Sequence, residues 1–300
     1  MSGAPSSTWF SAPPHWGWLI ALYFFLGGLA GGSYFIAALI DLFGRREDRP
    51  LAHLGYFIAF PCIALGGLLL MIDLGRPLRF WHMLIESNTY RLMFKYWSPM
   101  SIGSWAVMIF GLFAFLSFLA ALAEDGRIPY PALRRLRAPA GPGIVATVIG
   151  GLAGFYVAGY TGVLLAVTNR PIWSDTPLLG MLFVVSAAST SAALIILLAY
   201  RFGRATPAVE DLHRLDDWVL VMEVLVLIAV LVSLGPVLTA WLNLWGVLLL
   251  ITIALGMIAP LFLSWRGKGP RDATMRTAAA LVLVGGFLLR VVIVFSAESV

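Results

Sequence analysis

Residues 17–43 read GWLIALYFFLGGLAGGSYFIAALIDLF, with no charged residue before Asp41. A bilayer core about 30 Å thick is crossed by roughly 20 apolar residues in helical form. In lipid, a helix also satisfies every backbone N–H and C=O within its own segment. The run therefore predicts a membrane-spanning helix. Gly28 and Gly32 lie four residues apart, which puts them on one helix face where a neighbour can approach closely. Gly150, Gly154 and Ala158 repeat that spacing further along the sequence.

Seven more stretches meet the same criterion, at about 51–72, 100–123, 144–167, 178–200, 217–234, 243–263 and 274–296. Pro236 is expected to end the sixth. Composition agrees: of 300 residues 60% are hydrophobic and only 12% charged, where a soluble domain carries roughly 25% charged residues. The mean hydropathy is +0.91. The expected fold is all-α, a polytopic membrane protein of eight transmembrane helices. Two four-helix bundles are expected, over 1–170 and 171–300. The first 16 residues contain no Lys or Arg, and the first apolar run is too long for a signal-peptide core, so no cleaved leader is expected. The single cysteine, Cys62, falls inside the second stretch and reads as a small apolar residue. One cysteine makes no internal disulfide, and an iron–sulfur cluster needs about four ligands.

The excess of positive charge is a topology signal. Of the 20 basic residues, 14 lie in the connections between spans 1 and 2, 3 and 4, 5 and 6, and 7 and 8. The positive-inside rule places those connections in the cytoplasm and both termini outside. This accounts for the basic pI without a nucleic-acid partner, and none is expected. The connection 73–99 departs from the rule, holding Arg76, Arg79, Arg91 and Lys95 on the expected outer side. Leu78, Phe80, Trp81, Met83 and Leu84 suit a short amphipathic helix in the interface. Snorkelling to lipid headgroups explains the charge alone. A ligand site or docking of a partner through Arg79, Arg91 and Lys95 explains the charge and the length together.

Ionisable groups at membrane depth are costly and usually face the protein interior. Asp41, Asp73, Glu223 and Arg290 are such groups. Each is either a proton carrier or a buried structural charge. Glu223 and Arg290 enter from opposite sides, so no direct pair is expected. At the outer edge several groups share one depth: His15, Trp16 and Trp18; Asp73, Arg76 and Arg79; Ser98, Ser101 and Ser104; Tyr156, Tyr160 and Thr161. An aromatic belt explains the tryptophans only. The whole set suits a quinone head group, whose carbonyls accept hydrogen bonds from His or Tyr and whose protons Asp or His can take. Haem needs paired axial ligands. The four histidines (His15, His53, His82, His213) are scattered and none is deep in a span, so no haem is expected. No metal site is expected either.

The segments 18–32 (WLIALYFFLGGLAGG), 73–82 (DLGRPLRFWH), 98–105 (SPMSIGSW) and 160–165 (YTGVLL), in that order, resemble the NrfD/polysulfide reductase membrane-subunit family. The resemblance covers roughly residues 15–165; the second half is similar only in hydropathy and helix count. It implies a haem-free anchor of a multisubunit respiratory oxidoreductase in the bacterial or archaeal cytoplasmic membrane. Such an anchor exchanges electrons between menaquinone or ubiquinone and a ferredoxin-like iron–sulfur subunit, and through it a molybdopterin or multihaem subunit. It implies quinone contacts at His15 and Tyr160 and matches Asp73 and Arg76 to a stretch close to the quinone. Asp73 is the expected proton-handling residue. Trp16, Tyr156 and Ser98 complete the expected site, with Glu223 and Asp41 as further proton carriers. The carboxylates of the second half follow no pattern of the family. Two other readings stay open, an ion- or proton-translocating membrane protein and a purely structural anchor.

Overall fold

The structure, a computed structural model, describes residues 15–203, 207–266 and 271–298. Eight helical spans long and apolar enough to cross a membrane are present among them, and the protein is an all-α, multi-pass membrane protein. The helices are α1 (Trp18–Phe43), α2 (Arg49–Asp73), α3 (Pro99–Glu124), α4 (Gly141–Ala166), α5 (Leu179–Arg201), α6 (Pro207–Leu234), α7 (Leu244–Ile253), α8 (Ala259–Arg266) and α9 (Arg271–Ser296). A single wide turn, Ala254–Ile258, joins α7 to α8, and together they make one span. For orientation, the side carrying Trp16, Asp73 and Glu298 is called the termini face, and the opposite side the arginine face.

α1, α5 and α9 form the buried centre, while α2, α3, α6 and α7–α8 expose more of their length. α1 packs on α2, α4 and α5, and α4 also packs on α5, so helices from both sides of the expected boundary at 170 share one interior. Glycine makes this closeness possible. A Cβ added to Gly31 would strike the Gly154 carbonyl, joining α1 to α4, and Gly256 meets Gly285 of α9 in the same way. With no hydrophobic force between helices in lipid, such backbone contact is how they gain packing energy.

The observed spans follow the hydropathy except at α6. That helix starts at Pro207 rather than 217, because its first turns are polar (Glu210, Asp211, His213, Arg214) yet still helical; length rules for lipid count only the apolar part. It ends at Leu234, where Gly235 takes φ +52°, a left-handed conformation that glycine adopts freely. Pro236 lies in the short 3₁₀ turn Gly235–Trp241 that follows. The 73–99 connection holds a short helix where one is expected, the 3₁₀ helix Pro77–Met83, followed by a small hairpin paired at Ile85 and Leu92. Pro77 and the turn at Gly75 (φ +68°) interrupt helical continuity there. The Trp105 indole donates to the Met93 carbonyl at 2.9 Å, which ties the hairpin to α3.

At the arginine face, a charged cluster closes the ends of α1, α2 and α3. Arg137 pairs with Asp41 and with Glu124, and both members of the first pair are buried. Arg49 reaches Glu124 at 3.0 Å. The His53 ring nitrogens lie 2.6 Å from Asp125 and 3.0 Å from Glu124, and the Tyr56 hydroxyl donates to Asp41 at 2.9 Å. Burial opposes the charge on Arg137, but the hydrogen bond and the charge of Asp41 outweigh it and hold its pKa above the usual arginine value.

Candidate functional site

α1, α2, α3 and α4 do not fill the space between them near the termini face. A cavity of about 580 Å³ lies there, roofed by Phe80, Met83 and Leu84 of the 73–99 connection. Small-molecule sites typically measure about 300–1,000 Å³ and are mostly apolar with a few placed polar groups. This one fits that description. Its walls include Ile20, Phe24, Ile63 and Val107, and its polar groups are Tyr23, Tyr160, Ser104 and Asp73.

Each polar group is positioned by a local feature. Tyr160 projects from α4 against α3, where Gly103 makes room: a Cβ on Gly103 would fall inside the Tyr160 ring. Tyr156, one turn earlier, stacks on Tyr160 with ring centroids 5.9 Å apart. Tyr23 is buried in α1, its ring lying over Gly66 of α2. Its hydroxyl has no hydrogen-bond partner among the described residues. Leaving a buried hydroxyl unpaired costs about 1–3 kcal/mol. Ser104 donates to the Met100 carbonyl at 2.8 Å. Asp73 ends α2 at the exposed rim. Trp16 closes the side nearest the termini: it stacks on Trp173 at 5.1 Å, and its backbone N–H donates to Glu298 at 2.6 Å.

Of the outer-edge groups singled out from the sequence, Trp16, Asp73, Ser104 and Tyr160 thus meet at one cavity. His15 lies outside the lining, where its Nδ1 accepts from Arg170 at 2.9 Å. Ser98 caps α3, its hydroxyl accepting from the Ser101 N–H at 3.4 Å. Arg76, Arg79, Arg91 and Lys95 are all exposed on the connection above the cavity. Asp41 belongs to the charged cluster at the other face. Tyr23 and Gly103 are not among the residues that the sequence marks. Tyr23 sits inside an apolar run, where its aromatic character hides its hydroxyl; only the match in depth to Tyr160 points to it.

The sequence matches the family profile described as Polysulphide reductase, NrfD over residues 9–300. The protein belongs to the NrfD family. It is 30% identical to the C component of polysulfide reductase from Wolinella succinogenes, over 95% of its own length and 94% of that protein. To the NrfD protein of Escherichia coli it is 28% identical, over 94% and 95% of the two lengths. The C component of the selenate reductase of Mesobacillus selenatarsenatis is 32% identical over 101 residues, which is 34% of the sequence and 21% of that protein. The match to the profile reaches into the second half, which the motifs alone do not cover.

That second half of this NrfD-family protein holds a separate buried polar group. Arg290 of α9 donates to the Ser186 hydroxyl at 2.5 Å and to the Gly286 carbonyl at 2.8 Å. Its guanidinium lies over the Phe183 ring, 5.2 Å from the centroid. Ser186 also faces the Glu223 carboxylate. Glu223 and Arg290 are therefore linked through a serine. Asp216, two turns earlier on α6, faces Ser189. Both carboxylates are buried.

Gly103 gives the first expected outcome. Gly103→Val places branched bulk where the Tyr160 ring now sits, so the protein is expected to lose about 1–3 kcal/mol of stability, the usual cost of overpacking. The thermal midpoint of the detergent-solubilised protein measures it. An unchanged midpoint would show that Tyr160 does not need its present position.

Proposed function

We propose that this protein is the quinone-reactive membrane anchor of a respiratory oxidoreductase complex. The orphaned Tyr23 hydroxyl beside Tyr160, in an apolar cavity rimmed by a carboxylate, is the observation that carries this reading. Tyr23 and Tyr160 donate to the two carbonyl regions of the head group. Apolar walls from α1, α2 and α3 hold the ring and exclude water. Asp73, at the exposed rim, takes or returns protons between the cavity and the termini face. Arg76 is exposed three residues beyond Asp73, and the hydrogen-bonded His15 and Arg170 brace the entry of α1. The quinone, menaquinone or ubiquinone, supplies two-electron, two-proton redox chemistry.

The relatives named as components of polysulfide and selenate reductases support an anchor role. Electrons then pass to or from an iron–sulfur subunit of ferredoxin type, and beyond it a molybdopterin or multihaem subunit. The exposed Arg79, Arg91 and Lys95 are its docking residues. The arginine-rich connections favour the cytoplasmic side of a bacterial or archaeal inner membrane, with both termini outside. The test is electron transfer between a short-tail quinone and an artificial redox dye. The complex purified with its partners is expected to catalyse it, and the partners without this anchor are not. Equal rates in both would overturn the proposal.

A second reading, proton translocation, is favoured by the buried Asp216, Glu223 and Arg290 alone. Here Glu223 relays protons between Ser186 and Asp216, and Asp41 takes part at the arginine face. Glu223→Gln is then expected to reduce proton flux into liposomes by about tenfold or more, within the usual range for losing a proton-transfer group. A pH-sensitive dye trapped inside reads this out. Wild-type flux in that variant would exclude the role.

A further inference from the structure

The wall of the cavity changes character along α2 and α3. Toward the arginine face the two helices are held together by rings. Phe60 lies 5.0 Å from Phe115 and 5.2 Å from Phe118, and Phe57 lies 5.7 Å from Phe118. Next to these rings on the termini side, the lining of the same helices includes the small residues Ala64, Gly67 and Gly111, with Leu70, Met71 and Val107 beyond them. A methyl group added at Gly67 or at Gly111 would meet no atom within 4 Å. Most helical glycines here do the opposite work, letting backbones touch; these two border open space. Beside them Met108 and Leu112 line the cavity and are still 46% and 56% exposed. In a membrane-spanning segment that exposure is to lipid. Pro61 lies inside α2 just where the rings give way, and it removes a helical hydrogen bond at that level.

We infer that this gap between α2 and α3 is the port through which the isoprenoid tail of the quinone enters and in which it lies, with Gly67 and Gly111 setting its width. The inference rests on the quinone reading and adds a second subsite to it. The polar groups that would hold the head, Tyr23, Tyr160 and Asp73, belong to the same cavity. The port itself offers none: Ala64, Gly67, Met108, Gly111 and Leu112 are all apolar. A polar solute finds no hydrogen bond there, and a phospholipid finds no partner for its head group. A ligand with a polar head and a long apolar tail satisfies both parts at once. Its tail can leave the protein directly into the acyl chains, at no cost in buried polar surface. The Phe60–Phe115 contact forms the floor that stops the tail from sliding further along the helices.

The test uses the assembled complex and a series of quinols that differ only in tail length. The quantity read is the ratio of KM for a long-tail quinol to KM for a short-tail quinol. In Gly111→Phe and Gly67→Phe the ratio is expected to rise by about tenfold, the effect of one misfit group in an apolar pocket. Leu152→Phe, on the exposed side of α4 and outside the cavity, is the control that leaves the ratio unchanged. Phe115→Ala, which removes bulk from the floor, is expected to lower the ratio and keeps the test open should the larger side chains prevent assembly. A ratio unmoved in these variants, with turnover retained, overturns the port. A rise that is reversed by adding phospholipid also overturns it, because the gap would then hold an acyl chain. Absence of any quinol-dependent turnover in the unmodified complex would instead sink the quinone reading itself.

Discussion

Replacing Tyr23 and Tyr160 together with phenylalanine is expected to lower quinone-linked turnover of the assembled complex by about 50-fold, with each single change costing about 5- to 10-fold. A hydrogen bond between neutral groups contributes about 0.5–1.5 kcal/mol, and two donors to one head group act together, so the double change need not be the simple product. Tyr23→Phe carries a further, opposite expectation for stability. The hydroxyl that it removes is buried and has no partner among the described residues. Deleting it relieves an unsatisfied polar group, so the thermal midpoint of the detergent-solubilised protein should stay level or rise. Lower turnover with undiminished stability marks a residue kept for a ligand rather than for the fold. A fall in stability with normal turnover would contradict the assignment.

The second large effect is expected far from the cavity. Arg137→Ala removes the cation that Asp41 and Glu124 share and leaves the Asp41 carboxylate without its counter-ion. It also removes the guanidinium lying over the Tyr56 ring, 5.1 Å from its centroid. Breaking one side of a buried ion pair typically costs about 3–5 kcal/mol, enough to lower the thermal midpoint sharply or to prevent accumulation in the membrane. The cluster joins the ends of α1, α2 and α3, and those helices also build the cavity. Thermal unfolding and membrane abundance both measure the effect. Asp41→Asn separates the two roles open to Asp41. Lost stability with unchanged proton flux makes it a structural counter-ion, and lost flux with intact stability makes it a proton carrier. A stable, abundant Arg137→Ala protein would show that the cluster does not hold these helices.

Fold and site are legible in the sequence to different degrees, for physical reasons. Lipid imposes one rule on every span, so the apolar run 17–43 and its seven counterparts announce the helices. The same rule says nothing about polar turns beyond the bilayer, which is why hydropathy misplaces the start of α6, at Pro207 in the structure. Asp73, Trp16 and Tyr160 stand out because a charge, an indole or a hydroxyl at one membrane depth is unusual, and they do border one cavity. Depth alone cannot say which side of a helix faces which neighbour. His15 shares the depth of this group yet hydrogen-bonds Arg170 instead, and Ser98 serves its own helix as a cap. Tyr23 requires the packing itself, because its role depends on having no partner among the described residues. Gly67 and Gly111 are the extreme case. In sequence they are indistinguishable from Gly31, which touches Gly154, and only the open space beside them sets them apart.

The most direct measurement is photo-cross-linking of a quinone analogue, carrying its reactive group on the head, to the assembled complex, with the labelled peptides mapped by mass spectrometry. Labels on α1, α2, α3 and α4 around Tyr23, Met71, Met100 and Tyr160, displaced by excess unlabelled quinone, are the predicted result. Displaceable labels confined to α5–α9, or none on this protein while the complex still turns over quinone, would contradict a quinone site in this cavity.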